Sequence, residues 1–268
     1  MELRDAVVVV TGAASGIGEA LARRAAREGA RRVVLADRDI DGASRVADAL
    51  GPVARAEHLD VADRAATGAL VERTVAEEGR IDLWCANAGI ATGAGADAPP
   101  TTWQTAWDVN VMAHVHAADA LLPHWLDRGE GYLLTTASAA GLLTMVGDAP
   151  YSVTKHAAVA FAEWLAITYG DRGVRVSCLC PQGVRTPMLF GTGEGTASPG
   201  DGASLAAATV MAQGVVEPED VADAVVAALA TEQFLVLPHP EVADYEAARA
   251  TSRDKWLSAM RRLAARSQ

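Results

Sequence analysis

Two hydrophobic patterns alternate along this chain from end to end. Short unbroken apolar runs, such as Val7-Val8-Val9-Val10 and Val33-Val34-Leu35-Ala36, predict strands buried on both faces. Between them lie longer stretches whose apolar residues recur at helical spacing. The runs predict strands at 6–10, 32–36, 53–58, 81–86, 131–136, 174–180 and 234–237. The periodic stretches predict helices near 17–28, 41–50, 63–78, 102–128, 152–169 and 218–230. Such alternation requires crossover connections, so the expected class is α/β: a doubly wound parallel sheet of about seven strands with helices on both faces. No repeat or linker divides the chain, and residues 1–240 are expected to form a single domain. Residues 241–268 read as a C-terminal helical extension. There Tyr245, Ala248, Trp256, Met260 and Leu263 recur at roughly helical spacing among Arg253, Arg261, Arg262 and Arg266.

Composition narrows the function classes. A chain of 268 residues, 50% hydrophobic and 21% charged, can bury a sizeable core and is not disordered. Its net charge of −11 argues against a polyanionic partner such as nucleic acid. Val7–Val10 is too short for a secretory signal core, and no stretch is long and apolar enough to span a bilayer. Cys85, Cys178 and Cys180 are an odd set that makes no disulfide framework. Cys178 and Cys180 share one strand face and read as buried thiols. The histidines lack the spacing of a metal site, so no metal is expected. His114 and His116 read as helix decoration and His239, between two prolines, as a turn. A cytoplasmic protein with no membrane partner is the expectation. Lys155 is conspicuous, because the only other lysine is Lys255.

Two places carry chemistry. The first predicted strand runs into Thr11-Gly12-Ala13-Ala14-Ser15-Gly16-Ile17-Gly18 and then into a helix. Glycines let the backbone approach a pyrophosphate, and a helix N-terminus offers free N–H groups and a positive dipole end. Asp37 ends the second strand nineteen residues past Gly18, where a carboxylate can accept bonds from ribose hydroxyls and repel a 2′-phosphate. This points to a dinucleotide, and to NAD rather than NADP, although Arg38 beside it could pair with a phosphate. The second place is Ser138, thirteen residues before Tyr151, with Lys155 one helical turn further on. A free phenol titrates near ~10, so it carries protons poorly at neutral pH unless a cation such as Lys155 favours the phenolate. Ser138 can hydrogen-bond the substrate oxygen that exchanges a proton with Tyr151.

Taken in order, the 11–18 turn, Asp60-Val61, Asn87-Ala88-Gly89, Asn110, Ser138, Tyr151-x-x-x-Lys155 and Pro181–Thr186 resemble the single-domain short-chain dehydrogenase/reductase family over about residues 5–240. The resemblance implies a Rossmann-like fold and a catalytic tetrad of Asn110, Ser138, Tyr151 and Lys155. In that picture Tyr151 is the acid/base and Ser138 polarises the reacting oxygen. Lys155 depresses the Tyr151 pKa and holds the nicotinamide ribose, and Asn110 anchors a water that relays protons to Lys155. Cofactor contacts are implied at Gly12, Ser15, Gly16, Ile17, Gly18, Asp37, Asp60, Val61, Asn87, Ala88, Gly89, Tyr151, Lys155, Pro181, Val184 and Thr186.

The sequence departs from the family at Gln182, which stands where the family's Pro-Gly-x-Val-x-Thr has glycine. A side chain there narrows the pocket, adds an amide hydrogen bond, or points away harmlessly. Leu142, Leu143, Met145 and Val146, with Met188-Leu189-Phe190 at the head of a glycine-rich loop (about 187–213), favour a largely uncharged secondary alcohol or ketone. No Arg or Lys is aimed at an anionic substrate group, although Arg185 could reach one. The expected function is an NAD-dependent alcohol dehydrogenase or ketone reductase. A sugar-nucleotide epimerase or dehydratase and a non-turning-over NAD sensor are the alternatives. The helix 152–169 is apolar on most faces, and the stretch 111–125 is similar, which predicts a homo-oligomer, with the family favouring a homotetramer.

Overall fold

The computed structural model describes residues 1–190 and 214–266. Its centre is a seven-stranded parallel sheet in the order β3-β2-β1-β4-β5-β6-β9. These strands are β1 (Val7–Thr11), β2 (Arg32–Asp37), β3 (Ala54–His58), β4 (Leu83–Ala86), β5 (Gly131–Thr136), β6 (Val174–Leu179) and β9 (Leu235–Val236). The strand order reverses at β1, which pairs with β2 on one side and β4 on the other, Val8 lying opposite both Val33 and Leu83. The crevice at that reversal, beyond the strands' carboxyl ends, is where doubly wound folds bind ligands.

Side-chain alternation builds two cores from one sheet. Val7 and Val9 pack with Leu70, Leu121, Trp125, Ala158 and Leu165 on one face. These come from α3 (Arg64–Glu78), α5 (Ala113–Arg128) and α7 (Ala149–Tyr169). Val8 and Val10 pack on the other face with Leu21, Val46, Val221 and Leu229. Those come from α1 (Gly16–Arg27), α2 (Ile40–Leu50) and α9 (Pro218–Thr231). Every residue of β1 and β5 is buried, which is why these strands read as continuous apolar runs.

The predicted helix at 102–128 is three segments: α4 (Pro100–Trp107), a π turn at Asp108–Met112, and α5. The π turn contains Asn110, and such turns are rare and frequently found at functional sites. Short elements that carry little periodicity also occur: β7 (Gly183–Val184) pairs with β8 (Val215–Val216), while α6 (Ala140–Leu143) and α8 (Pro187–Phe190) are single turns. The C-terminal extension is two helices, α10 (Glu241–Thr251) and α11 (Arg253–Arg266), broken at Ser252, whose backbone is extended. Beyond α8, the rest of the glycine-rich loop expected at about 187–213 lies outside the described residues.

Candidate active site

The glycine turn packs so closely on itself and on the residues after β4 that side chains would not fit. Gly12 (φ +66°) would place a Cβ 2.9 Å from Ala88 Cα, and Gly18 would place one 2.0 Å from the Gly12 carbonyl oxygen. Gly16 (φ +57°) would meet Thr186 Cγ2 at 3.0 Å, so the turn also abuts the segment after β7. Ser15 caps α1 without a side-chain hydrogen bond, leaving the first N–H groups of the helix turned to the crevice. Ile17 lies against the α1–α2 core. The cradle thus suits a group that needs bare backbone at close range, as a pyrophosphate does.

Hydrogen bonds tie this turn to its neighbours. Asn87 Nδ2 donates to the Thr11 carbonyl at 3.0 Å, and the Asn87 and Ala88 amides both donate to Thr11 Oγ1, at 2.9 and 3.1 Å. Asp37 Oδ2 accepts the Ala14 amide at 3.0 Å, joining the end of β2 to the turn. The Leu59 amide bonds the Asp37 carbonyl at 2.9 Å, bringing Asp60 and Val61 to the same rim. Val184 is buried in β7, opposite Val216.

The four tetrad residues are all buried: Asn110, Ser138, Tyr151 and Lys155 are 0, 5, 7 and 2% exposed. Lys155 Nζ donates to the Thr136 carbonyl at 2.9 Å and lies 5.6 Å from the centre of the Tyr151 ring. Ser138 lies close enough to the Tyr151 phenol to lower its pKa. The Ser138 Oγ accepts the Ala140 amide at 3.1 Å and donates to the Pro181 carbonyl at 3.4 Å. Gly89 closes the group, since a Cβ there would stand 3.1 Å from Lys155 Nζ and 3.2 Å from Asn110 Oδ1.

Asn110 carries a structural load, and the direction of one expected pKa effect needs correcting. The Asn110 side chain is fully used in structure: its Nδ2 donates to the Ile90 carbonyl and Thr154 Oγ1, and its Oδ1 accepts the Ile90 amide. It locks the Gly89–Ile90 loop onto α7. The Tyr151 phenol is raised rather than depressed. Burial pushes it up to about 12, with Ser138 opposing and the Asp148 carboxylate adding to the rise. Burial likewise disfavours the charged form of Lys155, lowering its pKa to about 8.

Asp148 is a structural residue that belongs to none of the motifs. It is 2% exposed and accepts four hydrogen bonds: from the Thr92 amide and hydroxyl, the Gly93 amide, and the Tyr151 amide. It therefore caps α7 and pins the loop after Gly89 beside Tyr151. An acidic residue two positions before Pro150, at a helix start, was the available signal.

Other expectations shift as well. Arg185 is not aimed at the pocket: it pairs with Glu217 at 2.7 Å and stacks on Phe190. Leu142 and Leu143 belong to the core, which leaves half-buried Met145 and Val146 and exposed Met188 and Phe190 as the apolar rim. His114 is 1% exposed and so does not decorate a surface. His239 is likewise buried, with its Nδ1 accepting the Gln182 backbone amide. Cys178 and Cys180 are buried thiols, their sulfurs 3.8 Å apart. Among the described residues no histidine, cysteine and carboxylate cluster is arranged to hold a metal, and no helix is long and apolar enough to cross a membrane.

Comparison with known proteins agrees with this geometry. The family model described as short chain dehydrogenase matches residues 6–196. The 1-deoxy-11-beta-hydroxypentalenate dehydrogenase of Streptomyces avermitilis is 35% identical over 90% of this chain and 87% of its own. The meso-2,3-butanediol dehydrogenase of Serratia marcescens is 37% identical over 71% of this chain and 76% of its own. Among solved structures, a short chain dehydrogenase/reductase from Burkholderia phymatum in complex with NAD superposes with a TM-score of 0.86 at 28% identity, covering 95% of this chain and 96% of that one. With a parallel sheet reversing at β1, a bare-backbone turn above it and a buried Ser138–Tyr151–Lys155 cluster beside that turn, this chain belongs to the short chain dehydrogenase family of oxidoreductases.

Proposed function

We propose that this chain is an NAD-dependent dehydrogenase that interconverts a mostly apolar secondary alcohol and its ketone, acting as a cytoplasmic homotetramer. The observation that carries the reading is the joint burial of Ser138, Tyr151 and Lys155, with Lys155 Nζ 5.6 Å from the centre of the Tyr151 ring, next to the glycine turn. Gly12, Ser15, Gly16, Ile17 and Gly18 would hold the pyrophosphate, Asp37 the adenosine ribose, and Asp60 and Val61 the adenine. Asn87, Ala88, Gly89, Pro181, Val184 and Thr186 would line the nicotinamide half, with Lys155 on its ribose. When bound, the nicotinamide supplies the hydride acceptor or donor and, in its oxidised form, a positive charge.

The chain's own groups handle the proton. A phenol held neutral by burial is in the right state to donate to a carbonyl oxygen during reduction. In the oxidising direction the phenol must first release its own proton, which the positive charge of Lys155 favours, and the resulting phenolate would take the carbinol proton. Ser138 directs a hydroxyl to the same oxygen, and Lys155 supplies positive charge near the ring. Asn110, Asp148 and Gly89 keep α7 and the neighbouring loop in register.

Support for the finer points comes from separate places. Asp37 sits half-buried at the tip of β2, where a 2′-phosphate would meet like charge. Relatives named as dehydrogenases of hydroxylated compounds favour an alcohol substrate, and the apolar rim at Met145, Val146, Met188 and Phe190 favours a mostly apolar one. On α7, Trp164 and Ile167 are 52 and 84% exposed, an apolar face suited to a second copy of the chain. The reading is tested by following NADH and NADPH formation across cyclic, aromatic and aliphatic secondary alcohols. Turnover with NAD and at least one apolar alcohol is expected; none with any alcohol or its ketone would refute it.

A further inference from the structure

The segment that leads into the C-terminal extension reaches Ser138 through one peptide group. Leu237-Pro238-His239-Pro240 leads from β9 into α10, and the His239 side chain is buried, 4% exposed. Its Nδ1 accepts the Gln182 backbone N–H at 3.2 Å. That N–H belongs to the same planar amide as the Pro181 carbonyl. On the opposite edge the carbonyl accepts the Ala139 amide at 2.8 Å and Ser138 Oγ at 3.4 Å. One rigid plane therefore has His239 on its donor edge and Ser138 on its acceptor edge.

We propose that His239 is a positioning residue for the reaction: its Nδ1 lone pair fixes the Pro181–Gln182 peptide and, through that peptide's carbonyl, the Ser138 hydroxyl. This rests on the dehydrogenase reading above. A peptide whose N–H is engaged also presents a more polarised carbonyl, so both the orientation and the strength of the Ser138 contact depend on His239. The imidazole is well fixed for the task. Pro238 and Pro240 restrict the backbone on either side. The His239 carbonyl accepts the Val242 amide at 3.1 Å, and Val242 is fully buried in the core that holds Leu142 and Leu143. Accepting at Nδ1 requires the tautomer protonated at Nε2. Burial favours that neutral ring by lowering its pKa, against the raising effects of Glu241 and the Gly183 backbone. The placement also bears on Gln182, since the residue that replaces the family's glycine is held by its main chain from outside the pocket.

Three substitutions separate an acceptor role from simple filling of space. His239→Asn can put a carbonyl oxygen near the Nδ1 position. His239→Leu fills the site without an acceptor. His239→Gln keeps a polar group but reaches the Nε2 position instead. Each is measured for thermal midpoint, for hydrogen exchange at the Gln182 amide, and for kcat and KM with the best alcohol and NAD, per folded enzyme. We expect His239→Leu and His239→Gln to lose Gln182 protection and to lower kcat on the order of 10-fold, because a reacting hydroxyl displaced by a fraction of an ångström costs rate steeply. The KM for NAD should move less than about 3-fold, and His239→Asn should restore both protection and kcat. Wild-type kcat or intact Gln182 protection in the folded Leu and Gln variants would overturn the proposal. So would an Asn variant as impaired as they are. If the wild type turned over no alcohol or ketone, the dehydrogenase reading would fall, and with it the catalytic role of His239; the exchange data would still show separately whether His239 holds the peptide.

Discussion

Asp37 does two things that substitution can separate. Its Oδ2 accepts the Ala14 amide at 3.0 Å and its Oδ1 accepts the Asp39 amide at 2.9 Å, so it anchors the glycine turn to the end of β2 as well as carrying charge. Asp37→Asn removes the charge and keeps one carbonyl acceptor; Asp37→Ser shortens the side chain and strands both amides. A unit charge about 4 Å from another at an effective dielectric near 20 is worth about 4 kcal/mol. Half-burial and salt reduce this to roughly 1–3 kcal/mol at a site open to solvent. The preference for NAD over NADP should therefore fall about 10- to 100-fold in both variants. Arg38, exposed one residue on, becomes free to favour a 2′-phosphate. Asp37→Ser should also lose roughly 0.5–1.5 kcal/mol of stability for each amide left without its partner. The assay is kcat/KM for both nucleotides in wild type and both variants, alongside denaturant unfolding. A wild-type preference for NADP would refute the reasoning, and an unchanged ratio in Asp37→Asn would show that the carboxylate charge does not set it.

Two further outcomes follow from burial. His114 has its pKa lowered to about 3, first by burial and then by Lys155, so the unfolded chain, with its value near 6.5, binds the proton more tightly. Its contribution to stability is complete above the unfolded value and is lost at up to about 1.4 kcal/mol per pH unit as pH falls from there toward the folded value. Denaturant unfolding through that window should give a flatter acid limb for His114→Phe, and equal slopes would count against the assignment. On α7, Trp164→Glu with Ile167→Glu should convert an assembled wild type to smaller species in light scattering at micromolar concentration, because each puts a charge on a face that is apolar and exposed in the single chain. A monomeric wild type would contradict the expectation.

The sheet was legible because its strands are buried on both faces, which forces runs such as Val7–Val10 that no other element needs at that length. The glycine turn was legible for a related reason: Gly12 and Gly18 face backbone within 3 Å, and only glycine fits. The π turn at Asp108–Met112 left no such mark. It contains neither glycine nor proline, and it accompanies contacts from Asn110 to Ile90 and Thr154 that lie far away in sequence. The direction of the Tyr151 pKa was equally hidden, because it depends on how completely the phenol leaves water rather than on the presence of Lys155 four residues on. His239 looked like a turn residue between prolines. Its burial and its bond to Gln182 join positions 57 apart, which local pattern cannot show. Asp148 was readable as a helix cap, but its hold on Thr92 and Gly93 was not.

The central claim is that the buried Ser138–Tyr151–Lys155 group moves a proton while a hydride passes between a carbinol carbon and NAD. The most direct measurement uses a secondary alcohol deuterated at that carbon, with the isotope followed into the reduced nucleotide by mass spectrometry. Wild type should transfer the deuterium to NAD. Tyr151→Phe, which deletes only the proton-carrying hydroxyl, should bind NADH nearly as well by fluorescence titration yet transfer at least ~10²-fold more slowly. Deuterium appearing in solvent rather than in the nucleotide, or a Tyr151→Phe enzyme that keeps more than about a tenth of the wild-type rate, would contradict the account.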